Sequence, residues 1–150
     1  MTYNLRNQGG SVLSSPIVLI DGYNLMNQMI REGLSSEKLM DFRYQMLRQL
    51  DRWRQQTGKY RVWVVFDGRR KREDKKFRQA GSVRVFFALP PDGGDSRIES
   101  MCHDNDGKVV LVTSDKELIA RTCNHVVKQL DSSVFLEKHL SAGKDLEDTS

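Results

Sequence analysis

Three short runs constrain this chain more than anything else in it: IVLI at 17–20, RVWVVF at 61–66 and VVLVT at 109–113. Each is apolar almost without a break and rich in β-branched residues, as strands are when helices cover both of their faces. Two further runs, VRVFFAL at 83–89 and Val126–Val127, read as strands of the same sheet. Between the first two runs lies a helical pattern from Ser36 to Gln56. Its apolar residues Leu39, Phe42, Met46, Leu50 and Trp53 recur at helical spacing, and Gly58 supplies a stop. Asp95–His103 and Asp115–Cys123 predict shorter helices, and Ser132 or Ser133 is placed to cap a last one through Leu140. Strands alternating with helices give right-handed βαβ units, and therefore an α/β fold with a mostly parallel sheet flanked by helices.

A chain of 150 residues has room for one domain. The expected boundaries are a flexible arm over 1–15, a folded domain over 16–140 and a disordered tail over 141–150, SAGKDLEDTS. No apolar run approaches the roughly 20 residues of a membrane helix. Ile17–Ile20 is too short for the core of a secretion signal. Two cysteines, Cys102 and Cys123, make no disulfide framework, so a reducing, cytoplasmic setting is expected. The charge is concentrated in one place. Segment 68–78, GRRKREDKKFR, carries a local +5, which leaves −1 for the rest of a chain whose net charge is +4. Such a run is either a solvated loop or a patch for a polyanion.

Functional groups in open parallel sheets gather beyond the C-terminal ends of the strands. Asp21 follows the first strand in DGYN, and Asp67 follows the second in FDGRR. Asp95 follows the third in GGDSRIE, with Glu99 one helical turn later, and Asp115 follows the fourth in TSD. One acid at such a place is an ordinary turn or cap residue. Four converging on one edge repel each other unless a cation neutralises them, and oxygen-only ligands select a hard ion, Mg²⁺ or Mn²⁺. An ion of that kind activates a bound water and stabilises charge on a phosphoryl oxygen, which suits a polyanionic substrate held by the basic patch.

The strings IVLIDGYN, VVFDGRR, GGDSRIE and VVLVTSD, in this order and spacing, resemble the YacP-like group of the NYN branch of the PIN-like nucleases, across residues 16–140. The resemblance implies a PIN-like α/β sandwich and a metal-dependent endoribonuclease. It points to Asp21, Asp67, Asp95 and Asp115 as the acidic centre, with Asn24, Glu99 and Ser114 in support. Some YacP-like proteins look ribosome-associated, so the implied partner is RNA, free or on the ribosome. Gly93-Gly94 stands where many relatives carry Thr-Ala, which implies a more mobile approach to Asp95.

Roles follow from the side chains themselves. Asp21 and Asp115 are expected to hold the metal directly, with Asp67, Asp95 and Glu99 completing its surroundings. Asn24 would orient a carboxylate or a phosphate oxygen. Thr113 and Ser114 offer hydroxyls to the acids, Ser114 also to the substrate. The helix opened by Asp115 offers free N–H groups to an anion. Arg69, Arg70, Lys71 and Arg72 would hold phosphates, the first two bidentately. Tyr23 either stacks a base or packs inside; Trp53 and Trp63 read as core residues.

Other chemistries fit less well. A haloacid-dehalogenase-type phosphatase needs a second acid two residues after the first, and position 23 is Tyr. A dinucleotide fold needs GxGxxG where this chain has DGYNLM. Cys102, His103, Cys123 and His125 lack zinc-site spacing and read better as helices with buried thiols. The rival from another class is a non-catalytic RNA- or ribosome-binding adaptor on the same fold. Self-association stays open.

Overall fold

The computed structural model describes residues 15–33, 39–68, 79–88 and 93–147. In chain order its elements are β1 (Ile17–Asp21), α1 (Gly22–Arg31), α2 (Leu39–Thr57), β2 (Arg61–Asp67) and β3 (Gln79–Ala80). There follow β4 (Val83–Ala88), α3 (Gly93–Asp104), β5 (Val109–Val112), α4 (Lys116–Thr122), β6 (Val126–Leu130) and α5 (Ser132–Phe135), which continues as a π-helical turn over Leu136–Leu140. The strands form one sheet in the order β3-β4-β2-β1-β5-β6. Every pairing is parallel except that of the short β3 with β4. This is the α/β architecture that the alternation of strand and helix predicts.

The first strand of the chain ends up at the centre, with β2 on one side and β5 on the other. From it the chain builds the sheet outward in one direction and then in the other. The place where the order reverses, between β1 and β5, leaves a crevice at the C-terminal strand ends.

Alternation along β1 explains its uninterrupted apolar sequence. Val18 and Ile20 point to one face, where α1, α2 and α5 bury them with Met26, Met46, Trp53, Phe66 and Phe135. Ile17 and Leu19 point to the other, beneath Ile98, Met101 and Cys102 of α3 and Leu118 of α4. All four are fully buried, so a polar residue at any of them faces a dry helix layer. Trp53 anchors the first face as expected, stacked on Tyr60 at 5.3 Å and edge-on to Phe135 at 5.2 Å.

Several features depart from the sequence reading. Helix α1 starts at once after β1 and has no counterpart in the expected elements. Its first residue is glycine for a reason: a Cβ there would stand 2.6 Å from the Phe66 ring and 2.9 Å from the Val65 carbonyl oxygen. The helix can press against β2 only without that carbon. The cap of α5 is Asp131, not Ser132 or Ser133; its Oδ1 accepts from the Ser133 N–H at 2.9 Å and the Ser133 hydroxyl at 2.6 Å. The expected tail is also corrected, because 141–147 packs on α2 and the turn just before β2. Leu146 is buried and donates its N–H to Tyr60 Oη at 3.1 Å, while Trp53 Nε1 donates to the Lys144 carbonyl at 2.8 Å. Residues 1–14 and 148–150 lie outside the described residues. Cys102 is buried as expected, but Cys123 is exposed at the end of α4. Among the described residues no helix is long and apolar enough to cross a membrane.

Candidate active site at the strand-order reversal

Asp21 is the last residue of β1 and stands in the crevice beside the end of β5. The wholly buried Thr113 donates its hydroxyl to Asp21 Oδ2 at 3.0 Å and accepts the Asp115 N–H at 3.1 Å. One hydroxyl therefore fixes the spacing between the two acids that the sequence ranks first. The Asn24 N–H also donates to the Asp21 carboxylate. Asn24 Oδ1 accepts from the Ser114 N–H at 2.9 Å and the Ser132 hydroxyl at 2.5 Å. A single side chain at the start of α1 thus ties the turn after β5 and the start of α5 to the turn after β1. Asn24 is a positioning residue in this arrangement.

The electrostatics follow from the burial. Removal from water pushes the Asp21 carboxyl from the usual 3.8 to about 6, with the charges of Asp95 and Asp115 adding to it and the Thr113 and Asn24 hydrogen bonds opposing it. Asp95 is raised as well, by burial first and then by Asp115, with Asp67 contributing and Arg121 opposing. The structure therefore brings Asp21, Asp95 and Asp115 into one electrostatic group, which Asp67 joins through Asp95. Asp67 itself is exposed at the end of β2.

Gly93 and Gly94 have a physical role that differs from the mobile approach expected of them. Gly93 has φ +77°, which favours glycine, and a Cβ on Gly94 would lie 3.0 Å from Asp67 Cβ. The pair lets the first turn of α3 sit directly against Asp67 and carries Asp95 toward Asp115.

Arg121 is the residue the sequence reading missed. On α4, it reaches Glu99 Oε1 at 3.2 Å through Nε and Asp95 Oδ2 at 3.8 Å through Nη2. It holds the outer part of the acidic group, and Glu99 faces Arg121. Only the packing of α4 beside α3 reveals this; Arg121 comes six positions after Asp115 and no pattern marks it.

Other expected roles change. Ser114 faces the fold: its Oγ accepts the Ser132 N–H at 3.3 Å, and its hydroxyl joins Ser133 in holding Asp131 below the usual carboxylate range. The N–H groups at the start of α4 are not all free for an anion, because Asp115 Oδ1 accepts from Glu117 and Leu118 at 3.0 and 3.2 Å. Tyr23 packs, 4.9 Å from the Phe66 ring, with its hydroxyl accepting from Arg43 at 3.1 Å. Arg69, Arg70, Lys71 and Arg72 lie outside the described residues.

The donors at this edge suit a hard divalent ion in kind, being carboxylates alone, one of them half-buried and inclined toward neutralisation. Among the described residues, no three of Asp, Glu, His and Cys already stand as a cluster able to hold an ion. Asp21 and Asp115 are the pair that the hydrogen bonds pre-position.

The family model for the YacP-like NYN domain matches residues 18–145. Among solved structures the chain is similar to Rae1 (YacP) from Bacillus subtilis, at 22% identity and a TM-score of 0.66, over 85% of this chain and 74% of that one. A point variant of the same Bacillus subtilis protein gives 20% identity and a TM-score of 0.68, over 85% and 76%. At these identities the likeness is one of fold. No curated protein matches the sequence. Matched over most of its length, and with its acids at the reversal of the strand order, the chain belongs to the YacP-like NYN domain family, whose PIN-like fold is that of nucleases.

Proposed function

We propose that this chain is an endoribonuclease that hydrolyses RNA phosphodiester bonds at the β1/β5 crevice with the help of Mg²⁺ or Mn²⁺. The observation that carries the reading is Asp21, a half-buried carboxylate held by Thr113 beside Asp95 and Asp115, whose pKa, raised to about 6, marks a site that gains from a neutralising cation. Asp21 and Asp115 would hold the ion, with Asp95 and Asp67 nearest to complete its surroundings. When bound, such an ion supplies a water of lowered pKa and stabilises charge on the phosphoryl oxygen. The chain's own residues do the rest. Thr113 and Asn24 orient Asp21, and Arg121 restrains Asp95 and Glu99 at the rim. Arg69, Arg70, Lys71 and Arg72 follow Asp67 directly in sequence and supply positive charge for flanking phosphates. RNA is the partner in this reading, met free or on the ribosome in the cytoplasm.

The test is cleavage of a labelled RNA with Mn²⁺, with Mg²⁺ and with chelator, for the wild type and Asp21→Asn. Cleavage that needs the ion and is lost in the variant supports the reading. Metal-independent cleavage, or full activity without the Asp21 charge, sinks it. The adaptor reading draws support from Arg121, which already engages Asp95 and Glu99 with a positive charge. It predicts RNA binding without cleavage in either ion.

A further inference from the structure

Among the described residues, helices α3 and α4 roof only part of the sheet face beneath them. Its outer portion, toward β4, carries Trp63 of β2 and Phe86 of β4, both half-buried and 5.6 Å apart. Arginine guanidinium groups lie against both rings. The Arg97 guanidinium stands 5.4 Å over the Phe86 ring and that of Arg84 5.2 Å over the same ring. Arg84 also lies 5.9 Å from the Trp63 ring centre, and Arg61, whose guanidinium donates to the Ser15 carbonyl at 2.9 and 3.1 Å, lies 5.8 Å from it. The result is a continuous row, Arg97–Phe86–Arg84–Trp63–Arg61, with near-equal spacings.

Two features of this row exceed what a hydrophobic cover requires. Arg84 and Arg97 are exposed, and among the described residues no carboxylate pairs with either. Lysine stems or a leucine would shield Trp63 and Phe86 equally well without assembling three positive charges. The row also begins beside the acidic edge: Arg97 is two residues after Asp95, and α3 presents Asp95 toward Asp115 and Arg97 toward β4. Guanidinium groups backed by aromatic rings offer charge to phosphates and a flat surface to unstacked bases, the two things single-stranded RNA recognition uses.

We infer that the Arg97–Phe86–Arg84–Trp63–Arg61 row is a binding track for single-stranded RNA that leads from the acidic crevice across the open part of the sheet. The inference rests on the proposed RNA chemistry and adds the path of the strand and its single-stranded character. None of its residues belongs to segment 68–78.

The experiment uses the full chain in chelator, so that binding is read without cleavage, with a fluorescent oligouridylate titrated at several salt concentrations. Arg84→Gln combined with Arg97→Gln should lower the log–log salt slope by about 1.4 and weaken binding on the order of 20-fold at 0.1 M salt, from about 0.7 per lost contact. Oligouridylate should also change Trp63 emission, a signal kept in Trp53→Phe and lost in Trp63→Phe, since Trp53 is buried on the opposite face. Circular dichroism melts establish that each variant is folded, and Arg84→Lys, which keeps the charge, should retain most of the slope. An unchanged slope in the double variant, beside metal-dependent cleavage by the wild type, overturns the track and leaves the nuclease reading standing. A wild type that binds no RNA and cleaves none overturns both. Binding to phosphatidylserine vesicles in preference to RNA overturns the track as well.

Discussion

The two halves of the acidic edge are built by different means. On the β1/β5 side, Asp21 is half-buried and held by the Thr113 hydroxyl and the Asn24 N–H, and Asn24 is held in turn by Ser114 and Ser132. On the β2/β4 side, Asp67 is exposed, and what shapes its surroundings is the missing side chain of Gly94. One half positions a carboxylate by hydrogen bonds, the other by leaving room for a helix to come close. The first arrangement fixes a charge in a dry place and costs stability for it. The second leaves the charge in water and costs little. In the proposed reading, the chemistry is concentrated in the hydrogen-bonded half.

The strongest way to break the comparison is to remove one charge from each half. Asp21→Asn should reduce metal-dependent RNA cleavage by about a thousandfold or more, equivalent to about 4 kcal/mol of barrier. Asp67→Asn should reduce it on the order of tenfold. Equal losses in single-turnover assays would erase the distinction between the halves.

The glycines sharpen it next. Gly22→Ala puts a carbon into the Phe66 ring and the Val65 carbonyl, and should cost about 2–3 kcal/mol in urea unfolding. Gly94→Ala brings its carbon to 3.0 Å from Asp67 Cβ, a tight contact that the exposed Asp67 can relieve by a small shift, and about 1 kcal/mol is expected. The reverse order would mean that α1 yields more easily than α3.

Asn24→Ala strands the Ser114 N–H and the Ser132 hydroxyl, and about 2 kcal/mol of stability should be lost. Cleavage should fall with it even under conditions where the variant stays folded. If activity per folded molecule is unchanged, Asn24 only braces the fold.

The smallest effect concerns pH. The folded-state pKa of Asp21, about 6, lies above its unfolded value of 3.8. Its contribution to stability is therefore fully present below about 3.8 and is lost as pH rises through about 6. In chelator at pH 7, Asp21→Asn should melt higher than the wild type by about 2–4 °C, and the gap should close toward pH 4. Mn²⁺ should raise the wild-type melting temperature and narrow the same gap. A variant that melts lower at pH 7 would make Asp21 a structural acceptor.

The sequence displays some of this organisation and conceals the rest for physical reasons. Strand ends and their acids are legible because burial on both faces forces uninterrupted apolar runs; Asp21 and Asp67 are the first interruptions after theirs, and Asp115 follows Thr113 and Ser114. Helix α1 is not, since its inward side shows only Leu25, Met26 and Met29 along ten residues. Arg121 is invisible because its meaning arises only when α4 lies beside α3. The seating of 141–147 is invisible for the same reason: its partners, Trp53 and Tyr60, lie 91 and 86 residues away, and a polar stretch anchored through its backbone carries no apolar pattern. Ser114 misleads in another way, because a hydroxyl beside an acid looks alike whether it turns to solvent or inward.

The placement of β1 has a consequence for how the chain reaches its folded state. The earliest strand is also the innermost, and its second neighbour, β5, begins at Val109. During synthesis or refolding, an apolar strand with an open edge must wait while most of the chain is made, a non-local pairing of the kind that slows folding. Until β5 arrives, the Ile17–Ile20 segment is the part most exposed to pairing with a second molecule. A ribosome-tethered chain cut before residue 109 should therefore be protease-sensitive and association-prone, and become resistant only once β5 has emerged.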